Sequence, residues 1–364
     1  MSTSTRNIKL KGENMSLYFS NQKYKEKVLN ISNKQEASNK SAVDAMFLLI
    51  KDVEEENLSN LCELIKEYLE KKNPDIIIST QDCYELTQGN NIDGKIILDE
   101  ELKKLIFKLA YKCIESGKPL GTKTINEGKI NTSDWIAHSL FEGKLSGQLA
   151  KNMELDVEKA VKLGILHDYG RKKIHNFDHV VRGYEELIDK GWEEEAIGCL
   201  THSFLAGGKC ACNEEAEEGF YLDEEGNPCW KEDAPKDDVS EFLDNYTYTK
   251  YDIILNIADL MATSKGIVSP SERIADIATR RNNLDASSNR PYFLAEFTNK
   301  LIETLNQMGG KIPEDMQSKI KASKGATLEQ IKQKFERASE LFYAHYKTIY
   351  PDPFKKNNSD IELI

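Results

Sequence analysis

Leu155–Arg171 reads LDVEKAVKLGILHDYGR. Asp156 is a natural helix cap. Val157, Ala160, Val161 and Gly164 then recur at helical spacing and form a packing stripe, and Gly170 ends the segment. The stretch therefore predicts a short core helix that stops at the doublet His167–Asp168. Adjacent side chains on a helix point about 100° apart. His167 and Asp168 can serve one centre only where the helix terminates, and Tyr169–Gly170 supplies that terminus. Read on to Leu187, the segment from Gly164 holds three of the chain's six histidines.

The helical rhythm continues on both sides. TSDWIAHSLFEGKLSGQLAKNM at 132–153 predicts a helix capped by Thr132 or Ser133. Residues 177–190 predict another, with Phe177, Val180, Val181, Tyr184 and Leu187 facing inward. Trp192–Phe204 and residues 248–265 predict two more. Upstream, 41–72 reads as one helix with Leu58, Leu61, Ile65 and Leu69 on its apolar face and Pro74 as its stop. IIIS at 76–79 reads as a short strand or a loop edge, and QGNNIDG at 88–94 as a turn. A helix spans about 98–116, stopped by Gly117 and Pro119, and a polar loop follows. Further helices are predicted within 22–31, at 271–282 and in the tail. There Leu328, Ile331, Phe335, Ala338 and Phe342 form a stripe suited to core packing or a homodimer contact.

The fold class is all-α. Residues 1–110 form an N-terminal helical region of unassigned role, 111–290 the central domain and 291–364 a C-terminal helical region. The central domain carries an insertion at 207–245. Between Glu214 and Glu241 it has twelve acidic residues and two lysines, broken by Gly, Pro and Asn, and it reads as a mostly irregular solvated loop or a lid.

With 49 Lys and Arg against 61 Asp and Glu, the net charge is −12, which argues against wide contact with a nucleic-acid backbone. Hydrophobic content of 39% and charged content of 30% fit a globular chain. No apolar run reaches the ~18 residues of a membrane span. The N-terminus lacks a signal-type apolar stretch, so a cytoplasmic location and no membrane partner are expected. The seven cysteines are then expected as free thiols. Cys210, Cys212 and Cys229, with Cys199 nearby, lack the paired C-x-x-C pattern of a zinc site.

The middle of the chain holds His138, His167, Asp168, His179, His202 and Asp259, each on or near the end of a predicted helix. Imidazole and carboxylate together suit a divalent ion of the Mn, Fe, Ni, Co or Zn type, with Mg favouring more oxygen. The order His138, His167–Asp168, Asp259 resembles the signature of the HD-domain metal-dependent phosphohydrolase superfamily, and GILHDYGR resembles its "LLHDIGK" stretch. The resemblance covers roughly residues 131–282.

It implies an HD-type helical bundle with one ion held by His138, His167, Asp168 and Asp259. It also implies a second ion held by His179 and His202, with Asp168 bridging. Asp168 and Arg171 would be catalytic, and Arg171 and Lys172 would hold substrate phosphate. The implied activity is metal-dependent hydrolysis of a phosphate ester in a nucleotide or another small phosphorylated metabolite, with no nucleic-acid polymer as a partner. Two rival readings are an HD-fold diiron oxygenase and a non-catalytic metal- and nucleotide-binding regulator.

Overall fold

A computed structural model describes residues 39–126, 129–175, 178–202, 220–222, 228–230, 246 and 249–268. The fold is all-α. The described strands form three small two-stranded antiparallel sheets. The helices predicted within 22–31, at 271–282 and in the tail lie outside the described residues, as do Cys210 and Cys212.

The predicted helix over 41–72 is two helices, α1 (Ala42–Ile50) and α2 (Glu55–Lys72). Ser41 and Asp44 form a reciprocal capping box that starts α1. The chain turns at Lys51–Asp52, buries Val53, and restarts at Glu54, Glu55 and Glu56. Three carboxylates are favoured at a helix N-terminus, so this cluster sets a new beginning. IIIS at 76–79 is not a strand. Its Ser79 caps α3 (Thr80–Thr87) through a second capping box with Asp82. Gln88 and Gly89 turn the chain as predicted, and Ile92 bridges Ile96. Asp99 then caps α4 (Glu100–Glu115).

The polar loop before the next helix is a hairpin, β1 (Thr122–Asn126) and β2 (Lys129–Ser133), in register Thr122↔Ser133 to Asn126↔Lys129. Thr132 and Ser133 belong to β2, so neither caps the helix that follows. α5 (Trp135–Asn152) starts after Asp134. Asp156 caps α6 (Val157–Leu166) by accepting from the Lys159 amide, as the sequence predicts. A 3-10 turn (Tyr169–Lys172), α7 (His179–Asp189) and α8 (Glu193–Thr201) follow. Within the insertion, β3 (Phe220–Leu222) pairs with β4 (Pro228–Trp230), so that segment is not irregular throughout. α9 (Lys250–Asp259) opens on a Thr249–Asp252 capping box and stops well short of the predicted 265. A tight turn, β5 (Ala262–Thr263) to β6 (Gly266–Ile267), takes its place.

One hydrophobic cluster runs from Ala42 to Ala262 and takes in residues of α1–α8. α1 packs on α6, and α2 packs on α3 and α4. Glu158 of α6 accepts from the Ala42 amide at 3.1 Å. Lys40 reaches the carbonyls of Lys190 and Gly191 at 2.8 and 2.6 Å, covering the end of α7. α1 is thus seated directly on the helix that ends at the His–Asp doublet.

Candidate metal centre

Two pairs of glycines bring the helix ends together. A Cβ on Gly164 would lie 2.7 Å from the Gly143 Cα, closer than side chains permit. The absence of both side chains lets α5 and α6 cross in backbone contact. That crossing lays the first turns of α5 beside the end of α6. A Cβ on Gly170 would lie 2.0 Å from the His179 carbonyl oxygen and 2.6 Å from the Gly183 nitrogen. The 3-10 turn therefore sits on the first turn of α7 and sets His179 against Asp168. α9 packs on α5, α6 and α8 and delivers Asp259 as its last residue.

All six predicted ligands converge. The His138 Nε2 lies 3.1 Å from the Asp259 Oδ1 and 3.8 Å from the Asp168 Oδ2. The His167 Nε2 lies 3.4 Å from the same Asp168 oxygen. On the opposite side, the Asp168 Oδ1 lies 2.9 Å from the His179 Nε2 and 3.5 Å from the His202 Nε2. Asp168 thus faces two donor groups, one with each oxygen. All of these residues are buried except Asp259, whose side chain is 23% exposed.

A seventh residue joins them that the sequence reading missed. Glu142 lies one turn beyond His138 on α5 and is fully buried. Its Oε2 is 2.9 Å from the His167 Nε2 and 3.5 Å from the His138 Nε2. The signal was an H-x-x-x-E spacing in HSLFE, which places both side chains on one helix face.

The donor set fits a cation. The Nδ1 atoms of His138, His167 and His202 lie 3.1, 2.7 and 3.3 Å from the carbonyls of Ala262, Gly164 and Gly198. A carbonyl can only accept, so each Nδ1 carries a proton and each ring presents its Nε2 to the centre. The Nε2 atoms of His179 and His202 lie 3.4 Å apart. Both oxygens of Glu142, the His167 Nε2 and the Asp168 Oδ1 are shielded from solvent and have no hydrogen-bond partner among the described residues. Buried lone pairs facing one another are costly unless something positive sits among them. His138, Glu142, His167 and Asp259 could hold one ion, and His167, Asp168 and His202 a second.

The electrostatics follow from burial and neighbours. Burial pushes the Glu142 carboxyl well above its usual range, opposed by His167 and reinforced by Asp259 and Asp168. Burial also acts to raise Asp168, but Arg171, His167 and His179 outweigh it and hold that carboxylate well below its ordinary value. Burial, with Arg171 beside it, pushes His179 down to about 3, so that ring is a neutral donor.

Arg171 forms an ion pair through its Nε with the Asp168 Oδ2, and its Nη1 lies 3.5 Å from the His175 Nδ1. Lys172 is placed differently. Its ammonium is held by the Tyr169 hydroxyl at 2.7 Å, Asp52 at 3.1 Å and Glu186 at 3.2 Å, with no contact to the cage. A Thr201–Asp252–Asn256 network ties the two helix ends behind the centre. Asp252 accepts from Thr201 and Thr249, and Asn256 donates to the Thr201 and Asp252 carbonyls. No helix among the described residues is long and apolar enough to cross a membrane.

Part of this chain is similar to Ribonuclease Y. The proteins of that name from Mycoplasma capricolum subsp. capricolum and Mycoplasma mycoides subsp. mycoides SC are 38% identical over 128 residues, covering 29% of this chain and 24% of each relative. That from Lactobacillus helveticus is 36% identical over 80 residues, covering 21% of this chain and 14% of the relative. The matched part thus spans about a quarter or less of these relatives' length. No family model matches the chain, and no solved structure matches it.

The relatives are ribonucleases, which overturns the expectation that no nucleic-acid polymer is a partner. The charge argument failed because it averaged over the chain. Glu214–Glu241 alone carries twelve acids and two lysines, so ten of the net twelve negative charges sit in one segment.

Proposed function

We propose that this chain is a metal-dependent phosphodiesterase that hydrolyses RNA, built on an HD-type helical core. The observation that carries the reading is the convergence of four histidine Nε2 atoms and three carboxylates on one buried centre. The similarity to ribonucleases supports a phosphodiester of RNA as the bond attacked. His138, His167, Asp168 and Asp259 would hold one divalent ion, and His179 and His202 a second, with Asp168 shared. Such ions lower the pKa of water from about 15.7 toward about 7 and withdraw charge from phosphate oxygens.

The chain's own residues do the rest. The carbonyls of Ala262, Gly164 and Gly198 fix the tautomers of three donor rings. The Thr201–Asp252 and Asn256–Thr201 bonds tie the end of α8, next to His202, to the first two turns of α9. Arg171, half in the site and paired with Asp168, is the cation poised to meet the nonbridging oxygens of the scissile phosphate. Lys172, engaged by three groups elsewhere, is not assigned a phosphate.

The test is cleavage of a labelled single-stranded RNA by the purified full chain with Mn, Co, Mg or Zn added, alongside metal analysis. Asp168→Ala and His167→Ala should abolish cleavage and metal retention together. Wild-type protein that retains metal but leaves RNA and a simple phosphodiester intact would refute the proposal.

A further inference from the structure

We infer that Glu142 is a metal ligand, and that with His138, His167 and Asp259 it makes the tighter of two ion positions in this centre. The inference rests on the metal-centre reading above and adds to it a donor and an order of affinity. Four features of Glu142 carry it. It is fully buried, yet its two oxygens have no hydrogen-bond partner among the described residues. It points at the centre from the same helix face as His138. Its Oε2 stands 2.9 and 3.5 Å from two Nε2 atoms. Those atoms and the Asp259 Oδ1 all lie within 4.8 Å of one another.

The spacing matches what a cation requires. Four ligands at 2.0–2.2 Å from one tetrahedral ion stand about 3.4 Å apart. The observed edges of 2.9, 3.1 and 3.5 Å bracket that figure. Two imidazole Nε2 atoms and a second carboxylate crowd round one buried carboxylate, the donor mixture that a shared divalent cation draws together. The second position, Asp168 with His179 and His202, has three protein groups, at separations of 2.9, 3.5 and 3.4 Å. A four-donor position with two carboxylates holds a divalent ion more firmly than a three-donor position with one shared carboxylate. Metal sites that the protein fully ligates are the retained ones, and those with fewer protein ligands leave room for water or substrate.

The experiment titrates metal-free full-length protein with Mn2+, following free Mn2+ by its electron spin resonance signal. Wild type should show a tight and a weak step. Glu142→Gln should weaken the tight step at least tenfold and leave the weak one within about threefold. His179→Ala should do the reverse. Melting curves of the metal-free proteins guard against misfolding. Metal-free Glu142→Gln and Glu142→Leu should melt at or above metal-free wild type, because a costly buried carboxyl group is gone, while losing most of the stabilisation that Mn2+ gives wild type.

Three results would overturn the inference. One is a tight step unchanged in Glu142→Gln. Another is a tight step that follows His179→Ala instead. The third is a lower metal-free melting temperature in both Glu142 variants, which would make the residue structural. Absence of any Mn2+ binding by wild type would instead remove the metal-centre reading itself.

Discussion

Replacing Gly164 with alanine tests whether the α5–α6 crossing sets the centre. Two effects oppose each other. Alanine favours a helix interior over glycine by about 1 kcal/mol. Against this, the new Cβ would meet the Gly143 Cα at 2.7 Å, the Gly143 nitrogen at 2.8 Å and the Ser146 Oγ at 2.9 Å. Two of these atoms are backbone and cannot rotate away. Ordinary contact between carbons needs about 3.5 Å, so the helices must part by roughly 0.8 Å. Overpacking of this kind costs up to about 3 kcal/mol. The net loss is about 2 kcal/mol, a fall in melting temperature of roughly 4–8 °C for a folded unit of 150–250 residues. The parting also moves His138 and Glu142, on α5, away from His167 at the end of α6. Metal affinity should drop about tenfold to a hundredfold, as when a ligand's support is removed. Calorimetric melts and metal titration of the variant measure both effects. Gly117→Ala is the control: its φ is +78° and nothing lies within 4 Å of the added Cβ, so it should cost stability and leave metal affinity alone. Wild-type melting and wild-type metal affinity in Gly164→Ala would refute the reasoning, and so would an equal affinity loss in Gly117→Ala.

Other expectations follow from the same contacts. Lys172→Met should lower stability by about 1–2 kcal/mol through loss of its partly buried partners, while the KM for RNA stays within twofold; a large KM rise in steady-state cleavage would restore Lys172 to the substrate site. Asp252→Ala, which frees the Thr201 hydroxyl and the Thr249 amide, should cost about 3 kcal/mol in denaturant titration and weaken metal binding as well; lost stability with intact affinity would show that the network does not position His202 or Asp259. Burial pushes the Cys62 thiol up to about 12 and the Cys83 thiol up to about 11. Both should therefore stay protonated and resist maleimide at pH 8 until the protein is unfolded, and rapid labelling of native protein, read by peptide mass mapping, would contradict their burial. RNA affinity measured with a non-cleavable analogue should collapse on adding a chelator; unchanged binding would mean the phosphate is held away from the cage.

The helices that build the centre were legible because apolar residues recur at helical spacing between cap and stop signals. Val157, Ala160 and Val161 forecast α6, and Asp156 caps it as read. The doublet at a helix terminus was legible for the same reason. Where the reading failed, local chemistry competed with periodicity. Apolar spacing runs through 41–72, but it cannot register the turn at Lys51–Asp52 that splits α1 from α2. Ser79 and Asp82 announced a capping box that was overlooked beside three isoleucines. TKTIN and KINTS, β-branched runs around Glu127–Gly128, carried a hairpin signal that their polarity concealed. Glu142 was hidden by abundance: among 61 acidic residues one more glutamate reads as solvent-facing. Only the packing of Gly143 against α6 turns that face inward.

Net charge misled for a related physical reason, and the same reason bears on how, under the proposed function, an acidic chain would meet RNA. A phosphodiester responds to the field at the mouth of the site, within about a Debye length of 8–10 Å, and not to a sum over the chain. Inside that radius stand Glu142, Asp168 and Asp259, three carboxyl groups among four imidazoles, with Arg171 paired to one of them. Taken alone the three carboxylates repel phosphate, and Arg171 offsets only one of them. On the proposed function, two divalent cations would bring four positive charges against three negative ones. A site so loaded would attract phosphate, and the Arg171 guanidinium beside Asp168 would be placed to meet it. On this reading metal occupancy, not the composition of the chain, would decide whether the centre can hold a polyanion.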